Sequence, residues 1–224
     1  MRTVNRLLLL AIVVCAPSIV LAQTASFSAD MVMTMVGKQA AEMKQYLETL
    51  KKQGMKVPDA ATGSTSRVYV SGLKMRVDMN AGDQKSSMLA DMAEGGKSYL
   101  VGHTDKTYIE FNSQKKDRKK ALDVARFLRG GDLCAMLAEE NPKGSCRKLG
   151  SKVIGGRSCD EYEGLDERGR KQTMCVDTKL HFPLRTVTDS AVTEMKNIVE
   201  GSQPASLFVL PAGYTKKELG QRGQ

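Results

Sequence analysis

Histidine is scarce in this sequence, which contains only His103 and His181 among 224 residues. Nucleophilic hydrolases activate a serine or cysteine with a base, most often histidine, and both histidines here fall in turn-like segments. The G-x-S-x-G motif of the α/β-hydrolases does not occur. The adjacent acids Glu139 and Glu140 fall at the end of a predicted helix, beside solvent-type residues. We therefore expect a protein that is not an enzyme and that carries no cofactor.

Long apolar runs are also rare, and the clearest one stands near the N-terminus, at 7–14. Arg2 and Arg6 precede this run, and Val20-Leu21-Ala22 follows it with the compact residues that a signal peptidase recognises. This arrangement predicts a cleavable signal peptide, residues 1–22, with cleavage after Ala22. The run is too short to span a bilayer as a helix, which takes about 20 residues.

An alternative is a lipoprotein signal with Cys15 acylated, but that signal needs a small residue where Val14 stands. Export predicts a periplasmic protein with a single domain, residues 23–216, and a flexible tail, residues 217–224. Removal of Arg2 and Arg6 lowers the net charge from +9 to +7. A basic exported protein suits an anionic membrane surface or an acidic envelope protein as partner, and export disfavours nucleic acid.

Four cysteines remain after that cleavage, and an even number in an oxidising compartment predicts two disulfides. Four cysteines allow three sets of pairs. Cys159 and Cys175 flank a hairpin pattern whose predicted loop, 165–169, places them directly opposite each other. Cys134 and Cys146 then pair across a predicted turn at 141–144. No two of these cysteines have C-x-x-C spacing and no histidine is near them, so we predict no metal site.

Alternation of apolar and polar residues dominates the mature sequence and predicts about ten short antiparallel strands, the last of them at 206–210. Helical spacing predicts helices at 38–53, 113–128 and 132–140. Because helices do not follow each strand, a doubly wound parallel fold is excluded. We predict a mainly β, α+β fold: a curved antiparallel sheet, or half-open β-barrel, with helices packed on its concave side.

Methionine is unusually frequent, with 13 in the chain, and several methionines alternate along predicted strands so that they share one face. Flexible thioether side chains form an adaptable apolar wall. We predict that this wall lines a ligand cavity. Its residues are Met31, Met33, Met35, Met75, Val77, Met79 and Met88. Two alternatives are an ordinary sheet core filled with methionine and a Cu(I) site, because thioether ligands favour Cu(I).

The densest charge in the sequence is a basic run at the start of the second predicted helix. It comprises Lys115, Lys116, Arg118, Lys119 and Lys120. Cations at a helix N-terminus oppose the helix dipole, so the run does not stabilise that helix. It is either a solvated face or a patch that docks to an anionic membrane or an acidic partner.

Several blocks, in order along the chain, carry a resemblance to a known group. They are FSADM at 27–31, VSGLKMRVD at 70–78, LADM at 89–92, CRKLG at 146–150, GRSC at 156–159, LHFPL at 180–184, PASLF at 204–208 and PAGY at 211–214. With these blocks the chain resembles the LolA/LolB-like superfamily of periplasmic lipoprotein carriers, and more closely an uncharacterised domain-of-unknown-function branch of it. The resemblance implies a half-open barrel lidded by helices, with a cavity that shields acyl chains.

These observations favour a non-enzymatic periplasmic protein that holds a hydrophobic ligand, either a lipid or the acyl chain of a lipoprotein, in a half-barrel cavity. Such a protein suits lipoprotein trafficking in the envelope. Two other hypotheses remain open. One is an envelope interaction or stress-sensing module whose cavity is vestigial, and the other is a Cu(I)-binding protein.

Overall fold

The computed structural model describes residues 25–54, 63–93, 95–111, 126–140, 144–165 and 169–218. In these residues the chain forms one curved, unclosed sheet of 12 strands with two helices. This architecture confirms the predicted fold class. The predicted signal peptide and the basic run at 115–120 lie outside the described residues, as does most of the helix predicted at 113–128.

The strands and helices follow one another in a simple order. In sequence they are β1 (Ser26–Met35), α1 (Gly37–Lys52), β2 (Gly63–Ser71), β3 (Lys74–Ala81), β4 (Gln84–Asp91), β5 (Ser98–Gly102), β6 (Thr107–Phe111), α2 (Leu133–Glu140), β7 (Ser145–Ile154), β8 (Arg157–Leu165), β9 (Lys171–Asp177), β10 (Pro183–Val187), β11 (Ala191–Glu200), a 3-10 helix (Ala205–Phe208) and β12 (Thr215–Lys216). The helices predicted at 38–53 and 132–140 are therefore confirmed to within one residue at each end.

Strand β1 joins two meanders into one sheet. The sheet order is β12-β6-β5-β4-β3-β2-β1-β11-β10-β9-β8-β7, so β1 lies between β2 and β11. Both ladders of β1 are antiparallel. The prediction of about ten strands, all antiparallel, was wrong in one respect, because the additional strand β12 runs parallel to β6. Two residues after a proline- and glycine-containing segment give too weak a sequence pattern to predict such a strand.

Alternate residues of β1, β2 and β3 build the main core. Phe27 and Ala29 are fully buried against Val68, Val70 and Val77. These positions share one face because a strand directs every second side chain to the same side. The ring of Phe27 meets that of Phe182 edge to face, with centroids 5.2 Å apart. The core therefore links the N-terminal meander to the loop before β10.

The short apolar run before Pro211 departs from its predicted structure. The strand predicted at 206–210 was wrong, since Ala205–Phe208 forms a 3-10 helix. The N–H of Leu207 donates to the carbonyl of Pro204, which closes the turn. The carbonyl of Leu207 in turn accepts a hydrogen bond from Arg76 Nη1 at 3.1 Å. A short apolar run does not distinguish a strand from a helical turn, and a contact with β3 decides the outcome here.

A buried ion cluster ties the ends of β8, β9 and β11 together. Asp177, 1% exposed, accepts hydrogen bonds from Arg157 Nε at 2.5 Å and from two backbone N–H groups at 2.8 Å. Arg157 also contacts Glu200 at 2.8 Å. Burial acts to raise the pKa of Asp177, but these hydrogen bonds outweigh it, so the pKa lies below the ordinary value of 3.8. The ionised carboxylate is thus part of the folded structure.

We expect the substitution Asp177→Asn to destabilise the protein by about 3 kcal/mol at neutral pH, because it breaks a buried charge pair. Because the folded-state pKa is lowered, the stability that Asp177 contributes is present above pH 3.8. It is lost as the pH falls through the lower folded-state value. Urea denaturation should therefore show a difference between wild type and variant that shrinks in acid.

The substitution Asp105→Asn is the control, because the ion pair of Asp105 with Lys217 lies at the surface, with both side chains more than half exposed. Exposed pairs contribute little, so this variant should unfold close to wild type at neutral pH. A difference for Asp177→Asn that stayed constant from neutral to acid pH would contradict the assignment.

Candidate functional site

Two disulfides staple the C-terminal meander. Cys134–Cys146 joins α2 to β7, and Cys159–Cys175 joins β8 to β9. Both are the predicted pairs. The predicted register was wrong by two residues, because Cys159 lies opposite Asp177 and Cys175 opposite Glu161. Strand β8 runs one residue further than expected and β9 begins one residue later. A shift of two keeps both cysteines on one face, as diagonal neighbours with Cα atoms 5.5 Å apart.

A cavity of about 200 Å³ lies beside the first of these bridges, between α2 and the strands β7, β8 and β9. Its walls are mainly apolar. The apolar lining includes Leu133, Leu137, Ala138, Tyr162, Leu165 and Met174, together with the Cys134–Cys146 bridge. The polar residues of the lining are Ser145, Glu163 and Gln172. The cavity is thus an apolar pocket with a few polar groups, as is usual for binding sites of small apolar groups.

The position of α2 over the sheet has three causes. The helix begins after Asp132, whose carboxylate accepts the N–H of Ala135 at 3.0 Å and caps the first turn. Its apolar side packs on the sheet through Leu133 and Met136, which are buried with Phe127 and Val176. The Cys134–Cys146 bridge then fixes the distance between α2 and the edge strand β7. Together these contacts leave the cavity open between them.

The seven residues predicted to line a cavity lie on the sheet, and none of them lines this pocket. Met31, Met75 and Met79 pack against the main core, and Val77 belongs to it. Met35 is half-buried. Met33 and Met88 are 40% and 38% exposed. The prediction that these residues contact a ligand therefore rests mainly on the two exposed methionines.

The exposed methionines and the cavity share one face of the sheet. Met33 pairs with Thr193, Thr193 with Thr186, Thr186 with Met174, and Met174 with Tyr162. Residues directly opposite each other in paired strands lie on the same face. A row of side chains thus runs across five strands, from Tyr162 and Met174 in the cavity wall to Met33 at the centre of the sheet. Neighbouring strands are about 4.8 Å apart, so β9 and β1 are separated by about 14 Å.

A buried polar network occupies the other face of β3, β4 and β5. Ser87, 1% exposed, contacts Asp78 Oδ1 at 2.5 Å and His103 Nε2 at 2.6 Å. His103 Nδ1 lies 2.9 Å from the hydroxyl of Tyr214. Arg76 Nε donates to Asp78 Oδ1 at 2.6 Å. The network was not predicted, because Tyr214 is 111 residues from His103 in sequence.

The hydrogen-bond pattern of this network opposes a nucleophilic role for Ser87. An ionised carboxylate only accepts hydrogen bonds, so the single hydroxyl proton of Ser87 is donated to Asp78. The ring Nε2 of His103 must then donate to Ser87, and in the neutral ring Nδ1 accepts from Tyr214. A histidine that donates to a serine cannot take its proton. The network therefore acts as a clasp that holds the segment around Tyr214 to the sheet.

Within the ranges described, no group of three or more histidine, cysteine, aspartate or glutamate side chains is placed to hold a metal ion. Neither helix of the described chain is long and apolar enough to cross a membrane. Cu(I) favours thioether ligands, which are not among these side chains, so the alternative of a Cu(I) site built from Met31, Met33 and Met35 stays a prediction.

Comparisons with known proteins find similar folds without similar sequences. No protein-family model and no curated protein matches the chain. Among solved structures, an uncharacterized conserved protein from Thermus thermophilus aligns over 88% of this chain and 92% of its own, with a TM-score of 0.51 and 9% identity. At that identity the likeness shows a shared fold and nothing about activity.

Two further solved structures show weaker similarity, with TM-scores below 0.5. A putative outer membrane lipoprotein-sorting protein domain from Vibrio parahaemolyticus aligns over 82% of this chain and 89% of its own, with a TM-score of 0.27 and 10% identity. The Pseudomonas aeruginosa MucA/MucB complex aligns over 83% of this chain and 56% of its own, with a TM-score of 0.46 and 11% identity. These values are too low to support an argument about function.

We expect the substitution Tyr214→Phe to destabilise the protein by about 1–2 kcal/mol, because it leaves Nδ1 of His103 without its donor. Thermal or urea denaturation measures the change. The matched control is Tyr46→Phe, since Tyr46 is 60% exposed and its hydroxyl faces water. Equal stabilities for the two variants would show that the clasp does not hold the C-terminal segment.

Proposed function

We propose that the protein is an exported, non-enzymatic binding protein that holds an apolar group, the end of an acyl chain, in the cavity between α2 and strands β7–β9. The observation that carries this proposal is the cavity itself, with Leu133, Leu137, Tyr162 and Met174 in its wall. The disulfides and the predicted signal peptide support an oxidising compartment outside the cytoplasm.

The size of the cavity limits what it holds. Its volume is about 200 Å³. An apolar cavity of ~150 Å³ binds benzene, whereas pockets that enclose a drug-sized ligand measure ~300–1,000 Å³. The cavity therefore accommodates the end of one chain and not a whole lipid. The remainder of a longer ligand follows the same face of the sheet, along Thr186 and Thr193 towards Met33.

Filling the cavity tests this proposal. Ala138 and Ala135 are both exposed residues of α2, but only Ala138 lines the cavity. In titrations of the mature protein with a fluorescent fatty acid, we expect Ala138→Phe to weaken binding about tenfold or more, because the ring occupies the space of about three methylenes or more. Ala135→Phe adds the same ring outside the cavity and should bind like wild type.

Two results would count against the cavity as the binding site. One is the absence of binding to the wild-type protein, with no lipid found by mass spectrometry of protein purified from the periplasm. The other is unchanged binding by Ala138→Phe combined with lost binding by the double variant Met33→Ser, Met88→Ser. That second result would place the ligand on the exposed methionines instead.

The edge strand beside the cavity favours one second candidate, an envelope protein-interaction module. In the described part of the chain, strand β7 has only β8 as a neighbour in the sheet, and most of its side chains are exposed, with Val153 at 70%. An exposed edge strand can pair with an extended segment of another chain, and a cavity of this size also fits one apolar side chain. A photo-crosslinker at Ser151 in cells would recover a specific protein under this hypothesis and no protein under the first.

A further inference from the structure

Helix α1 stands apart from the packed part of the described structure. None of its side chains is buried, and it supplies no residue to the three described core clusters. Its start is fixed, since Gly37 has a φ of +64° and an added Cβ would lie 2.7 Å from the carbonyl oxygen of Asp189. Helices of this length are marginal alone in water and gain stability by packing an amphipathic face. Among the described residues, no element covers such a face of α1.

An apolar stripe runs along this helix. Ala40, Met43, Leu47 and Leu50 recur at spacings of three and four residues, which places them on one side. They are the half-buried positions of α1, whereas the residues between them are exposed. The helix has 16 residues and is therefore about 24 Å long. Tyr46 lies at one border of the stripe and is 60% exposed.

Lysines form the other border of the stripe. Lys44 follows Ala40 by four residues and Lys51 follows Leu47 by four, so both lie beside the apolar side chains. Lys52 adds a further cation to the last turn. The carboxylate of Glu42 lies on the opposite side of the helix, where it contacts Lys38 at 3.6 Å. Of the charges that flank the stripe, Lys44 and Lys51 are the nearest, and Glu48 lies beyond Lys44, four residues after it.

We propose that α1 docks the protein to an anionic lipid surface. The stripe enters the boundary between headgroups and acyl chains, and Lys44 and Lys51 extend their ammonium groups to the lipid phosphates. Tyr46 places its ring at the same level with its hydroxyl in water. The net charge, +9 for the full sequence and +7 after removal of Arg2 and Arg6, adds a general attraction to an anionic surface.

The flanking cations distinguish a lipid surface from other occupants of the stripe. A second copy of the chain docked through the same stripe would bring two cationic borders together, which is unfavourable. An apolar protein groove would accept the stripe but gains nothing from the lysines beside it. This inference does not depend on the cavity, because α1 supplies none of the residues that line it.

Vesicle co-sedimentation of the full mature protein tests the proposal. We expect binding to vesicles of phosphatidylglycerol and phosphatidylethanolamine, weakened by salt, and little binding to phosphatidylcholine vesicles. The double variant Leu47→Glu, Leu50→Glu should lose about tenfold or more in affinity. The control variant Ala41→Glu, Gln45→Glu changes the charge equally on the opposite, exposed side and should lose only about threefold or less.

Three results would overturn the proposal: no binding to anionic vesicles, equal losses in the two double variants, or a wild-type dimer without vesicles that Leu47→Glu, Leu50→Glu dissociates. Circular dichroism and melting temperature establish that both variants fold. The variant Ala138→Phe should bind vesicles like wild type. A failed cavity and a failed membrane surface would therefore be distinguishable.

Discussion

The two ladders of β1 are the constraint on which the rest of the structure depends. β1 hydrogen-bonds to β2 on one side and to β11 on the other. Without it, the N-terminal and C-terminal meanders would each expose a strand edge to solvent and would share no core. Its register also decides which side chains share a face, since a slip of one residue would exchange the two faces. Phe27 in the core and Met33, at the end of the row that begins in the cavity wall, therefore lie on the same face of the sheet.

Local structure was predictable from the sequence, and long-range structure was not. The strand alternation, the Asp132 cap of α2 and both disulfide pairs depend on neighbouring residues. The 3-10 helix at Ala205–Phe208 depends on Arg76, 131 residues away from Leu207. The cavity could not be predicted because it is set by where α2 packs. A hydrophobic pattern identifies the packing side of a helix but does not give its distance from the sheet.

The two polar clusters of the sheet fix the ends of three strands and the segment at Tyr214. They leave the cavity face of the sheet mainly apolar. The cluster around Asp177 fixes the ends of β8, β9 and β11, and the cluster around Ser87 fixes the segment at Tyr214. Buried polar groups are stable when they are hydrogen-bonded, and each residue of the two clusters has at least one hydrogen-bond or ion-pair partner. In the second cluster His103 donates its hydrogen bond to Ser87. The direction of that hydrogen bond, and not the short distance alone, decides whether a serine–histidine contact is structural or catalytic.

A cavity beside a packed helix has an energetic consequence. Loss of packing is unfavourable by ~24 cal/mol per Å³ in a closed core. For a volume of about 200 Å³ this corresponds to at most about 5 kcal/mol, and to less here because the cavity is partly open to solvent. A free helix would move inward to recover that energy. α2 is held by the Cys134–Cys146 bridge on one side and by Phe127 and Val176 on the other. An apolar ligand would recover the missing contacts without moving the helix, which is the physical basis of the proposed binding at this site.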